Sequence, residues 1–120
     1  MYKELILFRN ELKNKSIPKY KIIGIVSELL LSKQIFAKNA DIEEFLSDVF
    51  GMKFKAYLYK SRTMVVARVT KEIVALERDN DYKNKLYKFV QKKIDELKDN
   101  EKKEKNQLDG FDHDNGYDVS

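Results

Sequence analysis

Apolar residues return every three or four positions along most of the chain, and only one proline and four glycines interrupt them. That spacing gathers them on one face of a helix, whereas an all-β sandwich needs far more turn punctuation. The sharpest instance is Ile42, Phe45, Leu46, Val49 and Phe50, which form a single narrow stripe. Asn39 or Asp41 is the expected cap, Glu43 and Glu44 occupy the first turn where the dipole favours anions, and Gly51 is the stop. The acids on the outer face are solvated helix-start residues, and no catalytic carboxylate pair emerges from them.

The same period continues on both sides. Leu5, Phe8 and Leu12 stripe a first helix over about Tyr2 to Asn14. Asn14 to Pro18 then breaks the chain, with Ser16 as a cap and Pro18 in the next first turn. A second helix over 18–36 is apolar around most of its circumference, so it is either central or shared with a partner chain. Gly24 lies inside it at a cost of about 1 kcal/mol relative to alanine, which predicts a close backbone approach there. A last helix runs from about Tyr82 to Lys98 on Tyr82, Leu86, Phe89, Val90, Ile94 and Leu97, with Asp79 to Asp81 as the break before it.

The segment between the third and last helices reads two ways. Met52, Phe54, Ala56 and Leu58 alternate with Lys53, Lys55, Tyr57 and Tyr59, which is strand period. A hairpin across 52–70, turning at Lys60 to Thr63, would give an α+β winged-helix-like fold. Against it, Val65, Val69, Ile73 and Leu76 are spaced as one helical face, with Arg68, Lys71, Glu72 and Arg78 opposite and Ser61 as cap. The expected fold class is therefore all-α, with four or five helices in one domain over 1–98. The winged-helix arrangement is the alternative.

Charge carries most of the functional information, because charged residues make up 37% of the chain against about 25% in an average globular protein. The net charge of +4 is unevenly distributed: residues 1–97 hold 20 Lys+Arg against 13 Asp+Glu, and residues 98–120 hold 4 against 7. A basic body with an acidic tail is a nucleic-acid-type asymmetry. From Val49 to Lys71 there is no acidic residue, and Phe54, Tyr57 and Tyr59 interleave with the cations. Cations beside rings suit phosphate contact and base stacking. The expected nucleic-acid-binding residues are Lys53, Lys55, Tyr59, Lys60, Arg62, Arg68 and Lys71. A solvated lysine surface around core aromatics has the same composition, and Arg62, near the apolar stripe, is also placed to bridge helix ends.

A helix-turn-helix would use helix 41–50, Gly51 and a second helix through Tyr57, with Lys53, Lys55 and Lys60 facing phosphates and Tyr59 a base or sugar. Phe54 and Leu58 fit that recognition face poorly. In the hairpin alternative, Lys60 to Thr63 would be the tip of a basic wing.

Several classes are excluded or disfavoured. The absence of cysteine removes disulfides, thiolate metal sites and thiol catalysis. The single histidine, His113, lies in the acidic tail over 99–120, which is expected to be disordered. No Ser-His-Asp arrangement or histidine-based metal site can be built around it, and no glycine-rich phosphate loop exists. Counted from Asp112, the tail misplaces the glycine of a calcium loop. No cofactor is expected. No apolar run spans a membrane, and the N-terminus carries Glu4, Arg9 and Glu11 within its apolar stretch, so a cytoplasmic location is expected.

The expected function is a non-catalytic nucleic-acid-binding protein, a regulator or accessory factor, with DNA favoured over RNA. The alternative is a protein–protein adaptor or dimeric module. A homodimer or protein partner through helix 18–36 is the expected further contact.

Overall fold

The computed structural model describes residues 1–76 and 81–113, the side chains of 101–113 excepted. Five α-helices and one 3-10 turn are formed: α1 (Tyr2–Leu12), α2 (Lys19–Leu31), α3 (Asn39–Phe50), the 3-10 turn (Ala56–Lys60), α4 (Arg62–Ala75) and α5 (Tyr82–His113). Helix α1 packs along α5, α2 along α4, and α3 against α5 and the 3-10 turn. The all-α expectation holds.

The core is built from the stripes read above. Leu5, Ile22, Leu29, Leu30, Leu46, Val65, Ile73, Leu86 and Val90 are completely buried. At the α3–α5 contact, Phe45 sits 4.4 Å from Phe89 and 5.2 Å from Phe36 between ring centroids, inside the range of favourable tilted packing. Gly51 ends α3 in the left-handed region, at φ 68°, and two bonds close the helix end: Gly51 N–H donates to Ser47 and Met52 N–H to Leu46. This is the closing pattern that a glycine makes available. Ser61 caps α4 through its hydroxyl, which accepts from Met64 N–H at 3.4 Å.

The structure departs from the sequence reading at several points. No strand forms among the described residues: 52–55 has no regular secondary structure, 56–60 is the 3-10 turn, and 62–75 is helix. The hairpin across 52–70 is therefore absent. The recognition helix of a helix-turn-helix is absent too, since a single five-residue turn follows Gly51. Helix α2 ends at Leu31 rather than near Phe36, because Ser32 turns extended and its hydroxyl accepts from Ile35 N–H. Ile35 and Phe36 still reach the core, from the loop. Pro18, not Ser16, starts α2, and Lys38, not Asn39 or Asp41, precedes α3. A Cβ at Gly24 would meet nothing within 4 Å, so no close approach explains that glycine.

Helix α5 is described to His113 rather than to Lys98. Residues 99–108 contain no proline or glycine, and their Glu, Lys, Gln and Leu sustain a helix by propensity where the core stripe has ended. The acidic tail, expected to be disordered from 99, is described within α5 as far as His113, whereas its calcium and metal readings rest on side chains of 101–113 and on residues 114–120, outside the described residues. Arg78 lies outside them as well.

Helices α2 and α4 run antiparallel, and each end of the pair is closed by a cation. Lys19, the first residue of α2, donates through Nζ to the carbonyls of Val74 and Leu76, at 3.0 and 2.6 Å. Arg62, the first residue of α4, donates through Nη1 to the carbonyls of Leu30 and Ser32, both at 3.2 Å. The last turns of α2 and α4 contain no basic residue of their own. Their orphan carbonyls are therefore satisfied across the pair.

Candidate nucleic-acid interface

The acid-free stretch Val49–Lys71 occupies the end of α3, the 3-10 turn and most of α4. Within it the seven expected residues separate into two groups. Lys53, Lys55, Lys60, Arg68 and Lys71 are exposed. Tyr59 and Arg62 are not.

Arg62 is half-buried, and its guanidinium is committed to the fold. Besides the α2 carbonyls, Nη2 donates to the Phe36 carbonyl and Nε to Asn39 Oδ1 at 3.2 Å. An arginine holding three backbone carbonyls and a side-chain amide has no fork left for a phosphate or a guanine edge. Its role is the bridging one.

Tyr59 is only 6% exposed, with its ring 6.4 Å from that of Phe54. Its hydroxyl lies near the Phe54 backbone but has no hydrogen-bond partner among the described residues, and burial pushes its phenol above the ordinary range. It cannot stack on a base. The exposed ring of this turn is instead Tyr57, at 61%. Strand alternation would have placed the two rings on one side; a 3-10 turn of three residues per turn separates them.

Arg68 is accessible but engaged. It pairs with Glu72 at 3.3 Å one turn along α4, and its guanidinium lies 5.6 Å from the Phe54 ring centroid. Both contacts are solvent-facing and of modest strength, so a polyanion can compete for it. Lys53 borders a shallow hollow with Glu43, Glu44 and Phe54, and those acids weaken the field there. The least opposed part of the surface is the start of α4, around Lys55 and Lys60.

Two cations that the sequence reading did not select adjoin this part. Asn39 donates through Nδ2 to the Tyr59 carbonyl, so Lys38 and Lys60 are the chain neighbours of a bonded pair. Arg62 on the Ser32 carbonyl draws in Lys33. Both lysines are exposed, and residues 29–40 contain no acid. That second acid-free run was the available signal. The first turn of α4, with Ser61 and Thr63, adds the partial positive charge of a helix N-terminus between the two runs.

No other chemistry gathers here. Among the described residues no group of three His, Cys, Asp or Glu side chains is placed to hold a metal, and no helix is long and apolar enough to cross a membrane. No family model, curated protein or solved structure matches the chain.

Proposed function

We propose that this chain is a small, non-catalytic nucleic-acid-binding protein acting as a regulator or accessory factor. Lys33, Lys38, Lys53, Lys55, Lys60, Arg68 and Lys71 would contact phosphates, and Tyr57 would supply an exposed ring. The observation that carries this reading is the meeting of two acid-free stretches, 29–40 and 49–71, around the start of α4. Arg62 is excluded from the contact set, because four of its five N–H donors are already used. With no recognition helix in the groove, contact would run mainly along the backbone, which positions a protein without specifying sequence.

The test is fluorescence anisotropy of labelled duplex DNA and single-stranded RNA with the full chain, from about 50 to 300 mM salt. Seven phosphate contacts on duplex DNA give a log–log slope of about −6. Lys55→Glu with Lys60→Glu should flatten the slope by about 2 or more, while Lys13→Glu, beyond the end of α1, should leave it nearly unchanged. Tyr57→Ala should weaken single-strand binding by about 1–3 kcal/mol if its ring stacks on a base. Absence of binding by the full chain at about 50 mM salt would refute the proposal. The alternative, a protein–protein module, is favoured by the exposed Tyr20, Leu31 and Val74 and predicts no such salt dependence.

A further inference from the structure

The outer face of α2 has no covering element among the described residues, yet it carries large apolar side chains. Tyr20 is 71% exposed and Leu31 50%, and Val74 of α4, 60% exposed, lies near the Tyr20 end of the pair. Between Tyr20 and Leu31 on the same stripe are Gly24 and Ser27. The spacing 20, 24, 27, 31 is palindromic, reading four, three, four in either direction. It is palindromic in size as well: large, small, small, large.

We infer that two copies of this chain associate through α2, antiparallel, about a two-fold axis between Gly24 and Ser27. A two-fold there sets Tyr20 of one copy opposite Leu31 of the other, and Gly24 opposite Ser27. The small pair at the centre lets the backbones approach, and the large pair covers both ends of the contact. This is the self-complementarity an isologous interface requires. It also accounts for Gly24, where an added Cβ would meet nothing within 4 Å among the described residues.

Charge supports the same register. Lys21 and Glu28 are both exposed on one flank of the stripe. A two-fold axis keeps that flank on the same side of both copies, so Lys21 meets Glu28 of the partner twice. Their axial offset is about two residues, or roughly 3 Å at the helical rise, within reach of a lysine side chain. A parallel arrangement, with the two-fold along the helices, would put this flank on opposite sides of the seam, so Lys21 and Glu28 would not meet. Among the described residues, Lys21 is held within its own chain by a 4.0 Å approach to Glu11, with both side chains nearly half exposed.

Sedimentation equilibrium over a wide concentration range tests this, with the native mass expected to rise from 14.2 kDa towards twice that value. Lys21→Glu or Glu28→Lys alone places like charges together twice and should weaken association about tenfold or more. The double exchange should restore it to within about threefold, since tenfold corresponds to only 1.4 kcal/mol. Leu31→Asp, at an exposed position, should leave the helical circular dichroism intact and abolish the dimer. A native chain that stays at 14.2 kDa at the highest concentration overturns the inference. So does a folded double exchange that associates no better than the single variants.

Discussion

Replacing Arg62 with alanine separates a structural arginine from a phosphate-reading one. Its guanidinium makes four hydrogen bonds, to the carbonyls of Leu30, Ser32 and Phe36 and to Asn39 Oδ1. A hydrogen bond to a charged group contributes about 1.5–3 kcal/mol net, but one side chain cannot deliver four such terms additively. The site is only half-buried, so water recovers part of the loss at the carbonyls. Alanine also removes the contact that closes the end of α2, while adding no helix-propensity penalty to α4. The expected destabilisation is about 2–4 kcal/mol. With a urea m-value near 1.5 kcal/mol/M, this lowers the unfolding midpoint by about 2 M at unchanged m. Arg62→Lys keeps the charge but not the planar fork, and should lose more than half as much. A surface arginine waiting for a phosphate would cost within about 0.5 kcal/mol when truncated. A midpoint shift that small for Arg62→Ala would refute the clamp.

Tyr59 and Tyr82 both have phenols raised by burial, so the folded state favours their neutral forms. The stabilisation this gives is complete below the unfolded value near 10 and is lost as pH rises through the folded values; melting temperature should fall above about pH 10. Because the Tyr59 hydroxyl has no hydrogen-bond partner among the described residues, Tyr59→Phe should be neutral or stabilising by up to about 1 kcal/mol at neutral pH and should shallow that alkaline fall. A loss above about 1 kcal/mol at neutral pH would mean the hydroxyl is satisfied after all. Gly51→Ala forces an L-residue into the left-handed region at φ 68° and should cost about 1–2 kcal/mol by thermal denaturation. An unchanged midpoint would show that the α3 end relaxes.

The helices were legible because each packs one stripe onto a common core, so local period and tertiary burial agree. Ile42 to Phe50 with Gly51, and Val65 to Ile73 with Ser61, are the clearest cases. The end of α2 was not legible. Ile35 and Phe36 extend its apolar run, and the interruption at Ser32 coincides with a contact from Arg62, thirty residues later in sequence. Segment 52–60 was ambiguous for another reason. Eight residues of alternation describe an irregular stretch leading into a 3-10 turn as well as they describe a strand, and only the missing partner distinguishes them. Choosing Tyr59 over Tyr57 came from the expected second helix of a helix-turn-helix, where a five-residue 3-10 turn forms instead. Gly24 was read as an internal contact, when its space opens outward.

The basic residues that hold the fold sit where helix electrostatics alone disfavours them. A cation in the first turn of a helix opposes the dipole of that helix, yet α2 begins with Lys19 and α4 with Arg62. Each is compensated by the other helix, because the start of one lies against the negative end of its antiparallel neighbour. Lys83, at the start of α5, likewise reaches the Ile17 carbonyl, at 3.5 Å. A violation of local preference with a compensating tertiary contact marks a residue selected for packing. The same rule exposes the remaining cations. Lys33, Lys38, Lys55 and Lys60 make no carbonyl contact of this kind, and no acid lies within their own acid-free runs. Net charge therefore overstates the charge available to a polyanion. It is the cations left over from helix closure, gathered at the start of α4, that would set the salt dependence of binding.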